Sequence, residues 1–169
     1  DKGKADVFEF CEGYRKFISS CKTERECIEE FSAKAENHGY RRLDEVISED
    51  KKLKPGDKVY AVNMNKMMAI FHIGEDLFDG GRNILGAHID SPRLDLKQNP
   101  LYEDENMALM ETHYYGGVKK YQWVAMPMAL HGVVVKKDGS SVKVSMGESF
   151  DEPVTGVSDL LIHLASAQL

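Results

Sequence analysis

Two stretches of this 169-residue sequence are apolar almost without a break: KMMAIFHIG at residues 66–74 and ILGAHID at residues 84–90. A strand with one face in water alternates apolar and polar side chains. These runs do not alternate, and they are far shorter than the roughly 20 residues of a membrane-spanning helix. They read as strands covered on both faces, the pattern of a three-layer α/β sheet. The fold class expected is therefore α/β. The loop EDLFDGGRN between the runs predicts that they pair as neighbours through a hairpin connection.

Helices come first along the chain. Residues 5–19 place Val7, Phe8, Phe10, Cys11, Tyr14, Phe17 and Ile18 at the helical period of 3.6. Thr23 followed by Glu26 is a capping box. The helix it opens sets Cys27, Ile28, Phe31 and Ala35 on one face, and Gly39 ends it. A Pro-Gly-Asp turn at residues 55–57 then introduces a strand carrying Val59, Ala61 and Met64. Beyond Pro92 the segment PLYEDEN reads as irregular and acidic, with a strand over residues 107–113. Val133, Val134 and Val135, the Asp138-Gly139 turn, and Val142 and Val144 make a hairpin. The final VSDLLIHLASAQL predicts a helix with Ser158 at its N-cap. The change of character at residues 96–100 suggests two domains, 1–97 and 98–169.

Charge narrows the partners. The net charge of -6 and the pI near 5.5 argue against nucleic-acid binding and against an anionic membrane surface, since both want a basic patch. The cluster of Lys51, Lys52 and Lys54 follows Glu49 and Asp50 and reads as a solvated turn. Neither a membrane span nor a signal peptide is expected. Three cysteines, Cys11, Cys21 and Cys27, lack a spaced framework, which suggests reduced thiols and a cytoplasmic protein. Cys11 and Cys27 read as small core residues. Phosphate loops and the G-x-S-x-G serine elbow are both absent from the sequence.

The chemistry concentrates at the end of the second apolar run. In an open α/β sheet, ligands gather outside the carboxyl ends of the strands. His88 stands at such an end, and neutral imidazole is the commonest side-chain metal ligand. A ligating histidine usually passes its other N–H to a carboxylate or carbonyl. Asp90, two residues on in an extended chain, projects to the same side. Pro92 then holds the exit and keeps Ser91 out of the helical region. H-x-D alone is a weak signal, equally satisfied by a strand-end histidine bonded to its neighbour.

The longer string is more specific. GAHIDSPRLDLKQNPLYE, then ETHYYGGVKKYQW, then DLLIHLA, resembles the aspartyl aminopeptidase and aminopeptidase I family of zinc metallopeptidases, with bacterial members most alike. The likeness covers the chain well from Gly86 onward and the N-terminal helices more loosely. It implies hydrolysis of N-terminal, often acidic, residues from peptides by a pair of Zn2+ ions about 3.5–4 Å apart. It implies that His88 is a ligand of one ion, that Asp90 is the carboxylate supporting it in catalysis, and that a glutamate elsewhere is the general base. It also implies a catalytic domain interrupted by a β-rich dimerisation domain, the start of which would be residues 98–169. Assembly would be a homo-oligomer built from dimers, with His163 reaching the substrate site of the partner subunit.

Such a site needs three or more protein ligands per catalytic metal, and of the ligands the likeness implies only His88 is present. The expectation is that this chain alone is inactive and binds metal weakly. The alternative is a non-catalytic oligomerisation or binding module. The first reading needs His88 and Asp90 adjacent and open, whereas the second allows His88 to be buried. The remaining histidines read as structural: His72 in the core, His113 beside Tyr114, His131 at a strand start, and His38 at a helix C-terminus facing the dipole.

Overall fold

The computed structural model describes residues 2–76, 80–159 and 162–166. The chain divides into two compact units, Asp1–Asp90 and Ser91–Leu169.

The first unit contains α1 (Lys2–Ser20), α2 (Glu24–Asn37), β1 (Arg41–Arg42), α3 (Leu43–Ser48), β2 (Lys58–Asn63) and β3 (Met67–His72). The capping box forms as expected. The Glu26 N–H donates to Thr23 Oγ1 at 3.3 Å, and the Thr23 N–H donates to Glu26 Oε2 at 3.0 Å. Both bonds satisfy donors that a helix start leaves open. Gly39, with φ +80°, supplies the left-handed residue after the His38 C-cap. The buried face of α2 (Cys27, Ile28, Ala35) meets β2, which contributes Val59 and Tyr60, while α3 adds Val46. Tyr60 is 1% exposed, and its hydroxyl donates to Glu36. Phe17 stacks on Phe31 with centroids 4.9 Å apart, which fastens α1 to α2.

Several expectations are corrected in this unit. Cys11 is exposed, along with Val7, Phe8, Phe10 and Tyr14 on α1. The hairpin is β2 with β3, antiparallel from Lys58↔His72 to Asn63↔Met67, while β1 lies parallel to β2. Met64 sits in the turn rather than on the strand: Met64 and Asn65 have φ of 52° and 54°, and the Lys66 N–H bonds Asn63 O at 3.0 Å. His72 ends β3 exposed, outside any core. Residues 81–92 belong to no strand, and Leu85 is 100% exposed. Periodicity measures what a strand is able to bury, but a ladder also needs a neighbour's N–H and C=O groups. Among the described residues no strand pairs with residues 84–90, and Met67, Ile70 and Phe71 of β3 are likewise exposed.

The second unit holds β4 (Arg93–Asp104) and β5 (Met107–Tyr115), then a 3-10 turn (Lys120–Gln122), then β6 (Leu130–Val135) and β7 (Ser141–Met146). Strands β4 and β5 form an antiparallel hairpin from Arg93↔Tyr115 to Asp104↔Met107, with a register shift between Leu96 and Leu101. Such a bulge bends the strand. The acidic segment expected to be irregular is thus largely strand, because Glu105 and Asn106 take φ of 51° and 62° and turn the chain sharply. The β6–β7 hairpin forms as expected, with Val134↔Val142 in register. In its turn Gly139 has φ +83°, and Asp138 accepts from the Ser140 N–H and hydroxyl.

The helix expected at the C-terminus differs too. Residues 162–164 form a turn, and residues 160–161 and 167–169 of that expected helix lie outside the described residues. Just upstream, Thr155 bridges Met128 and Val157 bridges Val124, so the chain leading to Ser158 is committed to extended pairing.

Candidate metal-ligand segment

The segment around His88 lies at the end of the first unit. Extended backbone turns residues i and i+2 to the same side, and His88 and Asp90 meet accordingly. His88 Nδ1 lies 3.1 Å from Asp90 Oδ1 and 3.1 Å from the Asp90 carbonyl oxygen. Carbonyl and carboxylate oxygens only accept hydrogen bonds. The proton therefore sits on Nδ1, which donates to both, and in the neutral ring Nε2 carries the lone pair. That is the tautomer a metal-ligating histidine needs. The His88 side chain is 84% exposed and that of Asp90 39%. Nε2 has no hydrogen-bond partner among the described residues.

The backbone between the two side chains touches the helical layer. The Cys27 thiol on α2 lies 4.0 Å from the carbonyl oxygen of Ile89. Burial, then the neighbouring Cys21 thiol, pushes the Cys27 thiol up to about 11. Cys27 therefore stays a protonated S–H donor at neutral pH. Sequence reasoning missed this contact. Cys27 reads as core from its helical spacing, but nothing local connects it to a residue 62 positions away.

In the second unit, Gly116 with φ +74° packs close to Pro92; a Cβ there would stand 3.4 Å from Pro92 Cα. Arg93 donates to Asp95 Oδ1 at 2.7 Å, with its guanidinium 4.2 Å from the Tyr115 ring centroid. Both partners occupy the charge that follows the H-x-D-S-P string.

The other histidines fall as follows. His163 is exposed in the turn at residues 162–164. His131, its side chain 10% exposed, pairs through Nε2 with Glu148 Oε1 at 2.8 Å. The His38 ring donates from Nδ1 to the Lys34 carbonyl at 2.7 Å, bonding the C-terminal end of α2. Among the described residues no three His, Cys, Asp or Glu side chains gather to hold a metal. No helix among them is long and apolar enough to cross a membrane.

Comparison with known proteins gives this geometry its context. A family model described as aminopeptidase I zinc metalloprotease (M18) matches residues 17–168. A probable M18 family aminopeptidase 1 of Clostridium acetobutylicum is 57% identical over all of this chain, which spans 36% of that protein. The crystal structure of aminopeptidase I from Borrelia burgdorferi B31 superposes with a TM-score of 0.87 at 37% identity, covering 96% of this chain and 39% of that one. The M18-family aminopeptidase structure from Thermotoga maritima gives 0.86 at 42% identity, covering 96% and 35%. The mixed α/β fold is thus that of aminopeptidase I structures, and this chain spans about a third of the length of such relatives.

Proposed function

This chain belongs to the aminopeptidase I zinc metalloprotease (M18) family, and from that premise we propose that it is the N-terminal portion of a zinc-dependent aminopeptidase releasing N-terminal, preferentially acidic, residues from peptides. The observation that carries this reading is the pair of acceptors on His88 Nδ1, which leaves the lone pair on Nε2 of a largely exposed side chain.

The donor chemistry fits one zinc ligand. His88 supplies a nitrogen, and Asp90 orients the ring and strengthens it as a donor. A complete pair of zinc sites needs more ligands than this chain gathers among its described residues. Bound zinc supplies Lewis acidity toward a peptide carbonyl and activates water. The part of this chain in that chemistry is to hold one imidazole in a single tautomer and orientation. On this reading the remaining ligands and the general base come from further polypeptide, as the 36% share of its relative's length supports, and the isolated 169 residues are inactive.

The same reading extends to architecture. Residues 1–97 contribute to a three-layer catalytic domain, and residues 98–169 open an inserted dimerisation domain. The protein is a cytoplasmic homo-oligomer in which His163 contacts substrate bound to the partner subunit. Family membership favours this over a non-catalytic assembly module.

Zinc-dependent release of an N-terminal aspartate or glutamate from a peptide tests the proposal. The intact protein should turn over and its His88→Ala variant should not. Mixing His88→Ala with His163→Ala subunits should restore partial activity, because mixed dimers retain one unaltered site. Turnover by the isolated 169-residue chain, or full activity of His88→Ala, would overturn the reading.

A further inference from the structure

The β6–β7 hairpin has one face built wholly of hydrocarbon. Paired residues of an antiparallel ladder share a face, and the face changes at each step along the strand. Leu130↔Met146, Gly132↔Val144 and Val134↔Val142 therefore lie on one side, with no polar side chain among them. His131↔Ser145, Val133↔Lys143 and Val135↔Ser141 lie on the other. At the base of the hairpin Leu130 and Met146 are half-buried, whereas toward the tip Val134 and Val142 are exposed. A two-stranded hairpin with an open apolar face needs something packed against it.

The two ends carry opposite charge. The turn at the tip holds Lys136 and Lys137 against one carboxylate, Asp138, which accepts from Ser140. The loop at the base, residues 147–152, holds Glu148, which pairs with His131, together with Asp151 and Glu152. That loop is fixed from within: Glu152 Oε2 accepts from the N–H groups of Gly147, Glu148 and Ser149 at 2.8, 3.0 and 3.3 Å. It presents the Phe150 ring fully exposed. An aromatic side chain on a loop already ordered loses little freedom on binding.

We propose that this face binds a second copy of the chain, the two hairpins packing apolar side to apolar side about a twofold axis with their strands antiparallel. One hairpin carries both signs of charge, so a second copy is complementary to it. Charge also selects the axis. A twofold axis along the strands would set Lys136 and Lys137 of both copies against each other. An axis across the strands sets each tip on the other copy's base, where the lysines meet Glu148 and Asp151. It also brings each Phe150 to the Val134–Val142 end of the other copy. Aligned sheets keep their strand directions within about 30°, so tips still overlie bases. The inference rests on the homo-oligomer of the proposed function and names a contact within it; it needs nothing from the zinc chemistry.

The test uses the intact protein in analytical ultracentrifugation. Val134→Glu should raise the dissociation constant between copies about 100-fold, since it holds an unpaired carboxylate against hydrocarbon. Phe150→Ala removes a fully exposed ring, so the fold is spared, and it should raise the constant at least about 10-fold. Lys136→Glu with Lys137→Glu should weaken association too. Mixing those copies with Glu148→Lys, Asp151→Lys copies should restore it, because every tip then meets a base of opposite sign. Carbodiimide coupling of isotopically labelled with unlabelled native protein should join Lys136 or Lys137 to Glu148 or Asp151 between copies. Within one copy the six-residue strands hold those groups roughly 20 Å apart. The proposal is overturned if the native protein associates and either Val134→Glu or Phe150→Ala associates as tightly, which would leave the face to further polypeptide of the same chain. It is also overturned if the mixed charge variants stay apart. A native protein that remains monomeric overturns this contact and the homo-oligomer together, whereas absent peptidase turnover counts against the zinc reading alone.

Discussion

On the proposed zinc reading, replacing Asp90 with alanine separates support of the ligand from the ligand itself. His88 Nδ1 has two acceptors at 3.1 Å, the Asp90 carboxylate and the Asp90 carbonyl. Alanine removes only the carboxylate. The carbonyl can still hold the proton on Nδ1, so the tautomer should persist, but the ring loses its charged partner and part of its orientation. Loss of a group supporting a metal ligand generally costs 10–100-fold in affinity. Because one acceptor remains and His88 is largely exposed, the low end applies: about 10-fold, or about 1.4 kcal/mol. Asp90→Asn keeps an oxygen in place and should weaken binding less, while His88→Ala should abolish this contribution. Competition between the intact protein and a chromogenic zinc chelator measures all three. The reasoning fails if Asp90→Ala binds zinc as tightly as the native protein, or if Asp90→Asn is as damaging as His88→Ala.

Three further predictions concern the scaffold. Thr23→Ala should lower stability by about 1 kcal/mol in urea unfolding, since it deletes the acceptor of the α2 cap. Met64→Gly should raise stability by up to about 1 kcal/mol, because Met64 holds a positive φ that glycine adopts without steric strain. Lys51 and Arg41 hold the Glu49 carboxyl well below its ordinary 4.5, at about 2. A depressed carboxyl pKa contributes stability that is present above the unfolded value and is lost as pH falls through the folded one. Acid unfolding of the native protein should therefore steepen between about pH 4.5 and about pH 2, and Glu49→Gln should flatten that window.

Much of the local structure was legible in the residues. The capping box, Gly39 after α2 and the Asp138-Gly139 hairpin each rest on interactions within a few residues, and each appears in the structure. The adjacency of His88 and Asp90 was legible for the same reason, since a two-residue spacing in extended chain needs no distant partner. Side-chain chemistry and backbone sterics act at that range whatever the rest of the fold does. The misjudged features depended on a neighbour. Residues 84–90 carry the composition of a buried strand but lack a ladder among the described residues, and Cys11 lies on a helical face left open. The β2–β3 and β4–β5 turns run through Met64, Asn65, Glu105 and Asn106, which adopt positive φ because strand pairing on either side demands a sharp reversal. The contact between Cys27 and the Ile89 carbonyl is likewise tertiary. Sequence by itself determined which segments could be helices, strands and turns, and which two side chains would face each other at the H-x-D string. Only the tertiary structure decided which strand edges were paired, which apolar faces were covered, and which helix touches the backbone behind His88, because burial and pairing depend on what packs alongside.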